Sequence, residues 1–196
     1  MQPTQPKKPV SLIKLKKDSS LNANDKNVRL VVPSSEWLNG DMKNKVLAWE
    51  LAGILFIAVC GSLLHFVFEW SGNLALVALF AAVNESVWEH LKLTFWPALV
   101  FATFEYPFLR GEANNFVAAK SAGFYVMPLV IVLVFYSYFT IIGRSILAVD
   151  ISTFVIAVAA GQMVSYRIMT LGQLSRSLRY LSSAVLVLLV LAFSLF

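Results

Sequence analysis

Apolar runs at about 46–70, 73–109, 116–141, 146–169 and 180–196 govern what this chain can fold into. Stretches of roughly 20 apolar residues cross a hydrocarbon core of about 30 Å as helices. With 58% hydrophobic residues and a mean hydropathy of +0.71, the chain is far more apolar than a soluble domain. The sequence therefore predicts an all-α polytopic membrane bundle. Its single cysteine, Cys60, excludes a disulfide or a cysteine-based zinc site within one chain, and reads as a packing residue.

The second run is too long for one straight crossing. A helix over 73–109 would extend for roughly 55 Å, against a core of about 30 Å. Charge decides how many crossings it makes. Residues 1–45 hold nine Lys/Arg against four acids, whereas the remainder balances at seven and seven. A basic segment before the first apolar run is expected to stay in the cytoplasm. An odd number of crossings in the second run then keeps Arg110, Lys120, Arg167, Arg176 and Arg179 on the same side, with Arg144 opposite. About five crossings follow, with a broken or re-entrant second segment. Residues 1–45 are expected to be a basic, mostly disordered cytoplasmic tail. Within it, "SLIKLKKDSS" reads as a short surface segment and "SSEWLNGDMKNK" as an interfacial lead-in; residues 46–196 form the transmembrane domain. No cleavable signal is expected, because the first apolar run starts only near Val46.

The break is placed by "NESVWEHLK" at 84–92. "SVWE" matches the S-x-x-E capping box, with Ser86 starting a helix and Glu89 reaching back to its first turn. The eleven apolar residues before it are too few to span, and read as a half-helix or re-entrant segment. The expected topology gathers His65, Glu69, Glu85, Glu89, His90 and Asp150 in one layer. Glu50, Glu105, Gln162, Tyr166 and Arg167 form a looser group at the other side. Several of these have purely structural readings: Ser86 and Glu89 as a cap, Glu89 and Lys92 as a neutralising i, i+3 pair, Asp150 as an N-cap, "AVAAG" at 157–161 as close helix packing, and Glu50 and Glu105 as snorkelling groups or partners of arginines. His65, Glu85 and His90 have no such local explanation. Ionisable groups within membrane helices cost about 2.5–3.5 kcal/mol each on insertion scales, which makes them functional-site candidates.

The runs "GSLLHFVFEWSG", "NESVWEHLKLTFWP", "FEYPF" and "GQMVSYRI" resemble the pattern of a family of small prokaryotic multipass membrane proteins classed as a domain of unknown function. The resemblance covers about 46–170 and leaves the basic tail outside. It implies a polytopic membrane protein and carries over no activity or catalytic residue.

Three functional readings come from the residues. In the preferred one, the polar layer binds or translocates a small cation or protons: His65, Glu85, Glu89 and His90 carry the site, Glu69 and Asp150 support it, and Lys92 tunes its charge. In the second, His65, His90 and Glu85 or Glu69 ligate a metal for an intramembrane hydrolase, with Glu89 as general base; the set suits Zn, Mn or Mg. In the third, the layer is a packing device in a structural or assembly subunit. The expected partners are the lipid bilayer and further copies of the chain, and the expected location is the plasma membrane. Nucleic acid is not expected, because no motif supports it.

Overall fold

The computed structural model describes residues 35–195, so expectations for the earlier part of the tail lie outside the described residues. The chain runs α1 (Ser35–Trp70), α2 (Ala75–Ala78), α3 (Val87–Leu109), α4 (Phe116–Ile142), α5 (Leu147–Thr170) and α6 (Arg176–Leu195). The first helix starts well before the apolar run at Val46, taking "SEWLNGDMKNK" into its opening turns. Helices α1, α4, α5 and α6 are each long and apolar enough to cross a membrane. The fifth long helix, α3, has 23 residues and would extend for about 35 Å, enough to span, but it carries Glu89, Lys92 and Glu105.

The distribution of polarity is that of a protein dissolved in lipid. Leu55, Phe104, Leu133, Ile141 and Leu188 are exposed, whereas Glu50, Glu105, Lys120, Thr94, Gln162 and Ser165 are buried. A soluble protein sorts these residues the other way. Water is absent from the bilayer core, so polar side chains lower their free energy by turning inward to one another.

Helices α1, α3, α4 and α5 pack in a ring, each against the next, and α6 lies against α4. Phe193 near the end of α6 reaches across to stack on Phe95 and Trp88 of α3. The main core is apolar, with Ile57, Phe95, Ala98, Phe124, Met127 and Val158 fully or almost fully buried. At the opposite end from the α1–α3 turn, the loop after α3 is tied to the loop after α5. Asn115, in the left-handed conformation at φ 54°, donates through Nδ2 to Gly172 O at 2.8 Å and accepts from Leu174 N at 2.9 Å.

Two close approaches set the helix spacing. Gly123 and Gly161 face each other across α4 and α5, where a Cβ on either would meet the other's carbonyl oxygen at 2.8 Å. This is the small-residue packing expected for "AVAAG". Gly61 of α1 lies against the Leu93 carbonyl of α3, where a Cβ would meet the oxygen at 2.5 Å. Pro97, four residues after Leu93, has no N–H to offer that carbonyl. The proline thus removes the helical N–H partner of the carbonyl against which Gly61 lies.

Gly61→Ala is expected to cost about 1–3 kcal/mol, because the atom it strikes is backbone that must shift. The thermal midpoint in detergent should fall, whereas Gly40→Ala, in the same helix with nothing within 4 Å, should keep or slightly raise it. An undiminished midpoint for Gly61→Ala would contradict the close approach.

Candidate metal centre at the α1–α3 turn

The segment joining α1 to α3 is built by its own polar residues. Gly72 and Asn73 take positive φ values of 71° and 62° and turn the chain out of α1. After the single helical turn of α2, the backbone is irregular until Ser86. Such backbone needs partners when packed inside a membrane bundle. Lys92 Nζ donates to Ala78 O at 2.9 Å, and Val83 N donates to Glu89 Oε2 at 3.0 Å. The same Lys92 and Glu89 are ion-paired at 2.7 Å, both buried. The pair is thus a clamp on the broken segment, which is why charges follow the break at this spacing.

Ser86 caps α3 by accepting from Glu89 N at 3.4 Å. The reciprocal half of the capping box differs from expectation, because Glu89 is committed to Val83 and Lys92. Ser86 N instead donates to Asn84 Oδ1 at 2.9 Å, closing an Asx turn around Glu85. That turn presents Glu85 outward, with its side chain 82% exposed.

The geometry brings three of the candidate residues together. Glu85 Oε1 lies 3.5 Å from His65 Nε2, and Glu85 Oε2 lies 3.5 Å from His90 Nε2. The two imidazole rings are 5.3 Å apart between centroids, and one ligand atom from each of the three residues lies within 4.8 Å of the others. His65 comes from the last turns of α1 and His90 from the first turn of α3. Each stands one turn from the Gly61–Leu93 approach, which therefore sets their separation.

The His90 tautomer follows from its partner. Nδ1 is 2.8 Å from Ser86 O, a carbonyl that can only accept, so Nδ1 carries the hydrogen. In the neutral ring Nε2 then presents a lone pair to a carboxylate oxygen, and the two acceptors could share a cation. Ligands bonded to zinc at about 2.0–2.2 Å in a tetrahedral set stand about 3.3–3.5 Å apart. Each histidine stands at that spacing from one Glu85 oxygen, Oε1 for His65 and Oε2 for His90, and the set of one ligand atom per residue spreads to 4.8 Å, so it would contract around an ion. A carbonyl holding the far nitrogen of a ligating histidine is also the usual supporting arrangement around a metal. The set is two imidazoles and one carboxylate, with its open side toward solvent through Glu85.

The other candidates lie elsewhere. Glu69 is exposed one turn beyond His65. Asp150 accepts from the Tyr138 hydroxyl in the first turn of α5, whose N-cap is Ile146, so it does not cap that helix. Glu89 Oε2 is taken up by the clamp, through Val83 N and Lys92 Nζ. The second polar group is tighter than its residues suggested. Lys120, expected among the charges at one membrane face, is buried in the bundle between Glu50 at 2.9 Å and Glu105 at 2.5 Å. An i, i+4 or capping signal would have revealed it, but its partners lie on two other helices.

The match to a family model spans residues 38–196. The chain belongs to a family of unknown function, DUF6512. That match extends through α6, beyond the 46–170 over which the motifs carried a resemblance. No curated protein and no solved structure matches the chain.

Lys92→Met should strand the Glu89 carboxylate in a buried position and release the Ala78 carbonyl. Loss of one partner from a buried pair costs about 3–5 kcal/mol. The variant should unfold at markedly lower denaturant than Glu69→Gln, measured by tryptophan fluorescence in detergent; equal stability of the two would overturn the clamp.

Proposed function

We propose that this integral membrane protein binds a divalent transition-metal ion through His65, Glu85 and His90 at the turn between α1 and α3. The observation that carries the reading is the pair of 3.5 Å separations between one carboxylate and two imidazole Nε2 atoms, with the His90 lone pair directed into the set by Ser86. Zinc fits two nitrogens and an oxygen, with the fourth position left to water. Mn is a weaker match and Mg a poor one, since imidazole nitrogen favours the later metals.

Binding at the end of the bundle is favoured over a continuous pore. Along the same two helices below the site, Ile57, Phe95 and Ala98 pack fully or almost fully buried. It is also favoured over hydrolysis, because Glu89 is held by Val83 and Lys92. With the basic tail in the cytoplasm, the site would face the outside of the cell, where it would meet metal ions before they cross.

Elemental mass spectrometry on the detergent-purified protein after zinc equilibration should find close to one zinc per chain. The His65→Ala, His90→Ala double variant should lose it, and Glu69→Gln should keep it. Because ligation requires neutral imidazole, acidification should release the metal. Equal zinc in the wild type and the double variant would overturn the assignment.

A further inference from the structure

A second site lies deep in the bundle and shares no residue with the metal centre. Glu50 of α1, Glu105 of α3 and Lys120 of α4 meet there, with the two glutamates fully inaccessible and Lys120 2% exposed. Lys120 Nζ stands 2.9 Å from Glu50 Oε1 and 2.5 Å from Glu105 Oε2. From α5, Ser165 Oγ donates to Glu50 Oε1 at 2.7 Å, and Gln162 Nε2 donates to the Glu50 backbone carbonyl at 3.4 Å. The other ionisable groups on these helices stand apart from it. The Lys45–Glu112 pair is partly exposed, Arg167 is exposed, and Tyr106 and Tyr166 belong to neighbouring turns. Helix α6 contributes the Ser182 carbonyl, which accepts from Ser121 Oγ.

Two carboxylates here face one ammonium. Were all three ionised, the cluster would hold an uncompensated negative charge in a low-dielectric interior, an arrangement strongly disfavoured. The two acids are also unequal. Glu50 Oε1 accepts hydrogen bonds from both Lys120 and Ser165, which stabilise the ionised form. Glu105 has the 2.5 Å approach of Lys120 alone, with no hydroxyl beside it. One oxygen of each acid, Glu50 Oε2 and Glu105 Oε1, is buried with neither a hydrogen bond nor an ion pair. The geometry points to a proton-binding site: Glu50, Glu105 and Lys120 together hold one exchangeable proton in the membrane interior, carried on Glu105 while Glu50 remains ionised. A groove of about 240 Å³ bounded by Leu99, Tyr106, Phe116, Lys120 and Leu186 lies beside Lys120 at the edge of the cluster. Buried acids that load and release protons are the elements from which proton relays in membrane proteins are made. This site stands whether or not the α1–α3 turn holds a metal.

Infrared spectroscopy of the full-length protein in lipid vesicles at neutral pH tests the inference through the C=O stretch of a protonated carboxyl. The wild type should show such a band, and it should shift on transfer to D₂O. Glu105→Gln should remove the band because the carrier is gone. Glu50→Gln should remove it as well, because Glu105 then becomes the sole partner of Lys120 and ionises. Lys120→Met, if it folds, should increase the band about twofold, since both acids then lose their cation. Absence of the band in the wild type, its persistence in Glu50→Gln, or its failure to shift in D₂O would each overturn the proposal; the first would also be the result if a metal cation took the proton's place.

Discussion

The contact between Lys120 and its two glutamates is the interaction on which the bundle is organised. It joins α1, α3 and α4, and Ser165 extends it to α5, so that every helix of the four-membered ring contributes. Lipid gives the outer surfaces of these helices no reason to prefer one another, because hydrocarbon tails are as apolar as leucine. Polar groups that must find partners supply the missing specificity: a helix rotated or shifted by one turn would leave a charge unpaired. The glycine approaches between α1 and α3 and between α4 and α5 then allow the backbones to close around that centre.

The α1–α3 pair carries polar chemistry at both ends. Fifteen residues separate Glu50 from His65 on α1, and fifteen separate His90 from Glu105 on α3, about 22 Å of helix in each case. Because the two helices run in opposite directions, the equal spacings bring histidine to histidine at one end and glutamate to glutamate at the other. The apolar seam between them, with Gly61 against Leu93, fixes both distances at once. An open polar group at the solvent end and a closed one in the interior therefore share one scaffold, although their chemistry differs.

Much of this was legible in the residues. The excessive length of the 73–109 run required a break, and Ser86 at the start of "SVWE" located the start of α3. His65, Glu85 and His90 stood out because no cap or neighbouring charge accounted for them, and these are the residues that meet. The i, i+3 spacing also gave the Glu89–Lys92 pair; the Val83 N–H was hidden, and it takes the side chain that a capping box would assign to the Ser86 N–H. Lys120 was hidden for a different reason. Counted by its place in the chain, it belonged to a membrane face, and its burial depends on acids brought to it by two other helices. Local patterns report partners within a turn or two; partners that only tertiary packing supplies leave no such trace.

The proposed metal site is tested by X-ray absorption at the zinc edge of the protein embedded in vesicles and equilibrated with zinc. Zinc held by His65, Glu85 and His90 should show nitrogen and oxygen neighbours at about 2.0–2.2 Å with more distant scattering from two imidazole rings, reduced to one ring in His90→Ala. An all-oxygen shell, or a spectrum unchanged by His90→Ala, would contradict it.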